Sequence, residues 1–366
     1  TDSGNVQGYV KDGTYTYHGI PYANADERFV LAHKTDSWDG TKTAYSYGQI
    51  APQSGGNNLP TMSEDCQNLN VWTQGVNDRK KRPVMVWLHG GGYFAGSSIE
   101  QVAYDGYNMC MDGDVVVVSV NHRLNLLGYL DLSPFGEKYK NSGNAGHADM
   151  VAALRWIHKN IALFGGDPEN VTIFGQSGGG MKVADLMQIP DADGLFHKGM
   201  IMSGVGDAST LPICRGDGRE IVGALLAELG LGEGDVEKLE TVPYYELAKA
   251  YTKVSMPIAM KGGYVGGSPL LNDYYLGSPL ECGFREHAYQ IPLLIGSVFG
   301  EFSFLPETYD KTKLSGEEAR EIIAKVYGEH TDEMIAAFAK AYPGKYATDL
   351  LNVDRVMRQP SKRLAK

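Results

Sequence analysis

Short apolar segments alternate with helix-length segments along the middle of this chain, and this alternation constrains its fold most. Val115–Val120 has valine at every position except Ser119, a composition typical of a parallel strand that is covered on both faces. Further strands are predicted at Leu69–Trp72, Pro83–Leu88, Val171–Phe174, Gly199–Met202 and Ile291–Ile295, and helices at Ala148–Asn160 and Gly178–Met187. We therefore expect an α/β fold with a mostly parallel central sheet.

The flanking segments differ from this pattern. Residues 1–50 predict an N-terminal region of short strands and turns, and the stretches 217–262 and 305–366 predict helix-rich insertions, the last of them ending in a helix over Leu350–Lys366. No Pro- or Ser-rich linker and no internal repeat interrupts the chain. We expect residues 1–366 to form one domain.

Composition excludes several classes of function. The 366 residues carry a net charge of −11 without a basic patch, which argues against nucleic-acid binding, and no apolar run is long enough to span a membrane. Cys66, Cys110, Cys214 and Cys282 form no C-x-x-C pair, so neither a zinc site nor a dithiol site is predicted, and their disulfide state stays open. The chain starts at Thr1 without a signal peptide, which leaves the compartment open.

One serine has the surroundings of a nucleophile. Gly175-Gln176-Ser177-Gly178-Gly179 matches G-x-S-x-G directly after a predicted strand and before a predicted helix. In that setting a tight turn projects the serine hydroxyl above the sheet, and the helix N-terminus favours negative charge nearby. The alternative is a glycine-rich turn that only connects strand and helix.

A glycine loop follows an earlier strand. His89-Gly90-Gly91-Gly92-Tyr93 comes directly after Pro83–Leu88. Backbone N–H groups in such a loop can stabilise an oxyanion, each by about 3–4 kcal/mol of barrier. A phosphate-binding loop is the alternative, but no Gly-Lys-Ser/Thr follows. A flexible turn without a binding role is a second alternative.

Together these motifs resemble the type-B carboxylesterases, the family that includes the cholinesterases. The resemblance covers nearly the whole chain in five blocks that keep the family order: Gly19–Ala23, Glu64–Trp72, Asn121–Leu124, Gly143–Gly146 and Phe164–Gly179. It implies an α/β-hydrolase fold and cleavage of carboxylic esters through an acyl-serine, with no cofactor and no metal.

The resemblance also implies roles for individual residues: Ser177 as nucleophile, Gly91, Gly92 and Gly178 as oxyanion-hole donors, and Glu301, in the loop after Ile291–Ile295, as the acid of the triad. Five positions depart from the family pattern: Cys66, His147, Met150, Gln176 and Gly178. Gly178 stands where alanine is usual, and Cys66 has no upstream cysteine, so the family's first disulfide cannot form in its usual way.

The catalytic base is the weak point of the resemblance. In α/β-hydrolases the triad follows the chain order Ser, acid, His, and His330 alone among nine histidines follows Glu301. His330 lies in a predicted loop between two helices, a poor context, while His89, His122 and His147 are predicted to be structural. We expect the base to be absent from this chain and to belong to a C-terminal segment or a second polypeptide.

The predicted function is hydrolysis of a small-molecule ester. The alternatives are a catalytically silent binding or adhesion member of the same fold, an inactive fragment without the base, and a lipase with a lid drawn from residues 60–110. Acyl and alcohol preference are not predicted. Tyr93, Phe94, Tyr104 and Tyr107 suggest either an aromatic-lined pocket for aryl esters or ordinary core packing.

Overall fold

The structure is a computed structural model that describes residues 1–54, 61–206, 216–301 and 308–366. The strands are β1 (Asn5–Gln7), β2 (Tyr9–Lys11), β3 (Thr14–Pro21), β4 (Ala23–Asn24), β5 (His33–Lys34), β6 (Thr41–Thr43), β7 (Asn68–Thr73), β8 (Arg82–Leu88), β9 (Val116–Val120), β10 (Gly166–Gln176), β11 (Lys198–Met202) and β12 (Leu293–Gly296).

The α-helices are α1 (Tyr107–Gly113), α2 (Asn125–Tyr129), α3 (Ala145–Asn160), α4 (Gly178–Leu186), α5 (Arg219–Glu228), α6 (Tyr244–Ala259), α7 (Pro279–Cys282), α8 (Gly316–Tyr327), α9 (Thr331–Ala341) and α10 (Arg358–Leu364). Short 3-10 helices occur at Val102–Tyr104, Ser133–Phe135, Glu137–Tyr139, Ser142–Asn144, Ile161–Phe164, Pro190–Ala192, Val236–Glu240, Glu286–Gln290, Gly328–His330 and Ala347–Asn352.

Eight of these strands form the central sheet in the order β12-β11-β10-β8-β9-β7-β3-β2. The five strands from β12 to β9 are parallel, and β7, β3 and β2 continue the sheet in antiparallel pairing. The predicted mostly parallel sheet is therefore confirmed. Because β10, β11 and β12 are parallel neighbours, the loops that follow them emerge at one edge of the sheet.

The core explains why these segments became strands. Every residue of β9 is buried, as its valine run predicts. Val151, Leu154 and Ile157 recur on one face of α3 and belong to the same buried cluster as the sheet valines. A second buried cluster joins α5 and α6, the two α-helices within 217–262, to α2 and the segment that follows it.

The C-terminal stretch is helical but differs in detail from the prediction. Ser315 caps the N-terminus of α8, and its hydroxyl accepts a hydrogen bond from the Glu318 N–H in a capping box. The continuous helix expected over Leu350–Lys366 is wrong. The backbone turns at Asp354, whose carboxylate accepts hydrogen bonds from the N–H groups of Val356 and Met357, and this alternative bonding separates the 3-10 helix from α10.

The described residues include three of the four cysteines, all of them free thiols. Cys66 and Cys110 are buried free thiols and Cys282 is an exposed one, while Cys214 lies outside the described residues. Within that part of the chain, no cluster of three His, Cys, Asp or Glu is arranged to hold a metal ion. Its helices are all too short or too polar to cross a bilayer.

Candidate active site

Ser177 lies at the sharp turn between β10 and α4. Its backbone has φ 55° and ψ −124°, a conformation that non-glycine residues rarely adopt and that costs on the order of 1–3 kcal/mol. The turn is held from both sides, because the Ser177 N–H donates to the Met202 carbonyl at 2.9 Å and the Met181 N–H donates to the Ser177 carbonyl at 3.1 Å. The serine therefore has the strained geometry of a nucleophile elbow.

The glycine loop after β8 packs directly against this turn. A Cβ placed on Gly90 would come within 3.7 Å of the Ser177 Cβ, and one placed on Gly178 would come within 2.3 Å of the Gly92 nitrogen. Gly91 and Gly92 have φ of 87° and 61°, values that favour glycine. The structure thus brings Gly91, Gly92 and Gly178 together beside Ser177.

Glu301 lies at the same edge of the sheet. It is half-buried in the turn after β12. Two backbone hydrogen bonds link the ends of β10, β11 and β12. The Ser177 N–H donates to the Met202 carbonyl, and the Ser203 N–H donates to the Gly296 carbonyl at 2.7 Å. The loop is also tied to the C-terminal helices, since the Asp354 N–H donates to the Phe299 carbonyl at 2.7 Å.

His330 lies on the surface of the C-terminal helices. Its side chain is 67% exposed, and its ring nitrogens lie 3.8 Å from a Glu329 oxygen and 3.7 Å from a Glu333 oxygen. Within the described ranges, none of the nine histidines forms a hydrogen bond with Ser177 or Glu301. The structure does not bring the only histidine after Glu301 to the serine.

His89 and His122 form a buried pair below the glycine loop. Their rings stack with centroids 4.9 Å apart, and each Nδ1 lies within 2.9 Å of a neighbouring backbone carbonyl. Burial, with the amino group of Lys182 nearby, lowers the pKa of both imidazoles well below the usual 6.5. They are neutral and support the loop.

Lys182 is a fully buried charged residue on α4. Its amino group donates a hydrogen bond to the His89 carbonyl at 3.0 Å. Burial lowers the pKa of Lys182 to about 7, against the opposing effect of the Glu100 and Asp185 carboxylates. Sequence analysis missed this residue, although a lysine between apolar neighbours five residues after Ser177 was a visible signal.

Asp185, one turn further along α4, gathers a second polar cluster. Its Oδ2 accepts from the Tyr93 hydroxyl at 2.6 Å and lies 3.2 Å from His147 Nε2, and its Oδ1 accepts from the Tyr275 hydroxyl at 2.7 Å. Burial, with the Asp185 charge, raises the pKa of both tyrosines well above 10, so their hydroxyls remain protonated donors. His147 therefore has the structural surroundings that the sequence predicted.

The four aromatic residues singled out in the sequence do not line one common pocket. Tyr93 is half-buried and donates its hydroxyl hydrogen bond to Asp185, and Phe94 lies half-exposed over Gly92. Tyr104 and Tyr107 line a separate cavity of about 540 Å³, together with Trp72, Trp87 and Phe174. The described part of the suggested lid region contains β7 and β8, two strands of the central sheet.

The carboxylesterase family model matches residues 1–356. The chain belongs to the carboxylesterase family. This carboxylesterase-family chain is 37% identical to the para-nitrobenzyl esterase of Bacillus subtilis over 82% of its length, and 40% identical to the phenmedipham hydrolase of Pseudarthrobacter oxydans over 56%. It spans 62% and 42% of those two relatives' own lengths.

Solved structures establish the α/β-hydrolase fold. An esterase from Clostridium hathewayi, described as able to hydrolyze aliphatic aromatic polyesters, is 51% identical with a TM-score of 0.95, over 98% of this chain and 73% of that one. The carboxylesterase of Geobacillus stearothermophilus is 34% identical with a TM-score of 0.74, over 98% and 74%.

Proposed function

We propose that this site hydrolyses carboxylic esters through an acyl-enzyme on Ser177. The observation that carries the proposal is the contact between two elements: the strained turn at Ser177 and the Gly91–Gly92 loop, whose Gly92 nitrogen lies against Gly178. A nucleophile and backbone N–H donors from two elements are the parts that acyl transfer needs.

In the proposed reaction the Ser177 hydroxyl attacks the ester carbonyl carbon. The carbonyl oxygen becomes an oxyanion, which the N–H groups of Gly91, Gly92 and Gly178 stabilise. A base accepts the serine proton and returns it to the departing alcohol, leaving the acyl-serine. Water then attacks the acyl carbon, and the carboxylic acid and the free serine are released. Glu301 would orient the base and stabilise its cation.

We propose that the base is a histidine outside these 366 residues. The placement of His330 supports this. Its side chain is 67% exposed and lies beside Glu329 and Glu333, whereas a catalytic base must form a hydrogen bond with the serine. His89, His122 and His147 are buried with their own partners. Without a base the serine keeps an alcohol-like pKa and reacts slowly.

Chemical rescue tests the missing base. Free imidazole added to the 366-residue chain should accelerate acylation by an activated aryl ester, because it replaces the absent side chain. Ser177→Ala should show no acceleration beyond the hydrolysis that imidazole causes without protein. A rapid reaction that imidazole leaves unchanged would mean that a base is already present, and His330→Ala would then show whether it is His330.

The nucleophile is tested by covalent labelling. With imidazole supplied as the base, a fluorophosphonate probe should modify the 366-residue chain, and mass spectrometry should locate the adduct on Ser177. Ser203 provides a matched control, because it is a second serine with positive φ at the end of the neighbouring strand β11. Ser203→Ala should still be labelled and Ser177→Ala should not. Labelling that survives Ser177→Ala would overturn the assignment of the nucleophile, and a wild-type protein that is not labelled at all would favour a silent binding member of the fold.

The names of the relatives suggest the first substrates to test. One is named for para-nitrobenzyl esters, and one is described as hydrolysing aliphatic aromatic polyesters. We propose carboxylic esters with an aryl group as the starting panel, with short alkyl esters as the comparison.

A further inference from the structure

We propose that Lys182 and Asp185 are positioning residues, which clamp the two ends of the oxyanion loop onto the helix that follows the nucleophile. This inference rests on the proposed function of the site, because the loop has a catalytic role only if Ser177 is acylated. Lys182 and Asp185 lie three positions apart on α4 and therefore share one face of it. That face is turned toward the loop.

The first end of the loop is held by Lys182. Its amino group bonds to the carbonyl of His89, the residue between β8 and the glycines, at 3.0 Å. The side chain is fully buried, so the hydrogen bond is formed away from bulk water. Gly96 closes against the same histidine, since a Cβ there would come within 2.6 Å of His89 Nδ1. His89 is therefore fixed from more than one direction.

The second end is held by Asp185. Its Oδ2 accepts a hydrogen bond of 2.6 Å from the hydroxyl of Tyr93, the residue directly after Gly92. A bond to a carboxylate is stronger than one between neutral groups. The Tyr93 carbonyl also accepts the Asn125 N–H at 2.7 Å. Between His89 and Tyr93 lie only three glycines, which have no side chains of their own to anchor them.

The clamp matters because the N–H donors of the proposed oxyanion hole come from two separate elements. Gly178 belongs to α4, whereas Gly91 and Gly92 belong to the loop after β8. An oxyanion hole needs its N–H groups within about 2.7–3.1 Å of one oxygen position, and a displacement of about 1 Å can cost a hundredfold in rate. Side chains of α4 that hold both ends of the loop set this spacing directly.

Tyr93→Phe and Tyr275→Phe are a matched pair for the test. Each removes one hydroxyl bonded to Asp185, but only Tyr93 belongs to the loop. Hydrogen exchange of the Gly90–Gly92 amides should accelerate at least tenfold in Tyr93→Phe and in Lys182→Met, and should match wild type in Tyr275→Phe. Equal exchange in all three variants would overturn the clamp, and this readout requires no activity.

Kinetics provide the second readout. In the catalytically competent protein, Tyr93→Phe should lower kcat at least tenfold with little change in KM, and should weaken binding of an aryl trifluoromethyl ketone, which forms an oxyanion-like adduct. Tyr275→Phe should keep the wild-type kcat. Equal kcat losses in the two variants would indicate general destabilisation and overturn the clamp. Failure of the proposed function has a different signature, an unlabelled Ser177 with the exchange difference intact.

Discussion

Gly179 on the first turn of α4 lies so close to Leu88 at the end of β8 that a Cβ on it would come within 2.0 Å of the Leu88 carbonyl oxygen. Leu88 pairs on both sides, with β9 and β10, in the middle of the central sheet. The carbonyl therefore cannot move aside without disturbing the sheet. The contact sets how closely α4 approaches β8, the strand that carries the glycine loop.

Gly179→Ala should destabilise the protein and reduce the reactivity of Ser177. Overpacking of this kind costs about 1–3 kcal/mol, measured as the free energy of unfolding. Gly223→Ala is the control, because Gly223 is exposed on α5 with nothing within 4 Å of its Cβ position. It should gain about 0.5–1 kcal/mol from helix propensity. Equal stability of the two variants would contradict the close contact.

The strain at Ser177 predicts an order of stability between two inactive variants. Ser177→Gly should be more stable than Ser177→Ala by about 1 kcal/mol, because glycine adopts φ 55° without the steric cost that alanine keeps. Chemical denaturation measures the difference. Ser46 is the control, because it is exposed and its φ is not positive. There the alanine variant should be more stable than the glycine variant. Finding alanine the more stable residue at 177 would count against a strained turn.

Lys182 predicts a dependence of stability on pH. Its folded pKa is lowered to about 7, whereas an unfolded lysine titrates near 10.4. Between these values the unfolded state binds more protons, so stability rises with pH, by up to about 1.4 kcal/mol per unit, and falls as pH drops toward 7. Lys182→Met should flatten this rise between pH 7 and 8.5, as measured by denaturation. An unchanged slope would contradict the burial of an ionisable amine.

The buried ion pair between Arg123 and Asp149 predicts a strong coupling. Arg123 donates from Nη2 to Oδ1 at 2.7 Å and from Nε to Oδ2 at 2.9 Å, with both side chains at most 3% exposed. Arg123→Met should cost about 3–5 kcal/mol, because it leaves an unpaired buried carboxylate.

The double variant Arg123→Met/Asp149→Leu should cost less than Arg123→Met alone, since it removes the unpaired charge. Unfolding free energies of the two single variants and the double variant measure the coupling. If the losses of unfolding free energy in the two single variants add up to the loss in the double variant, Arg123 and Asp149 are not energetically coupled.

Much of the fold was predictable because its signals are local. The valine run at β9 and the apolar face of α3 reflect burial that each segment requires by itself. The turn at Ser177 was equally predictable, because small residues around a serine between strand and helix leave few backbone conformations. The helix over Leu350–Lys366 failed because Asp354 supplies competing hydrogen bonds that periodicity does not register.

The sequence by itself determined the strand–helix alternation, the turn at Ser177 and the glycine loop, since each depends on the conformational freedom of neighbouring residues. Only the tertiary structure decided what the loop is fastened to. Lys182 and Asp185 are separated from His89 and Tyr93 by more than ninety residues of chain. Contacts at that distance form only when the sheet aligns the ends of β8 and β10, because register between strands, rather than local preference, brings those side chains together.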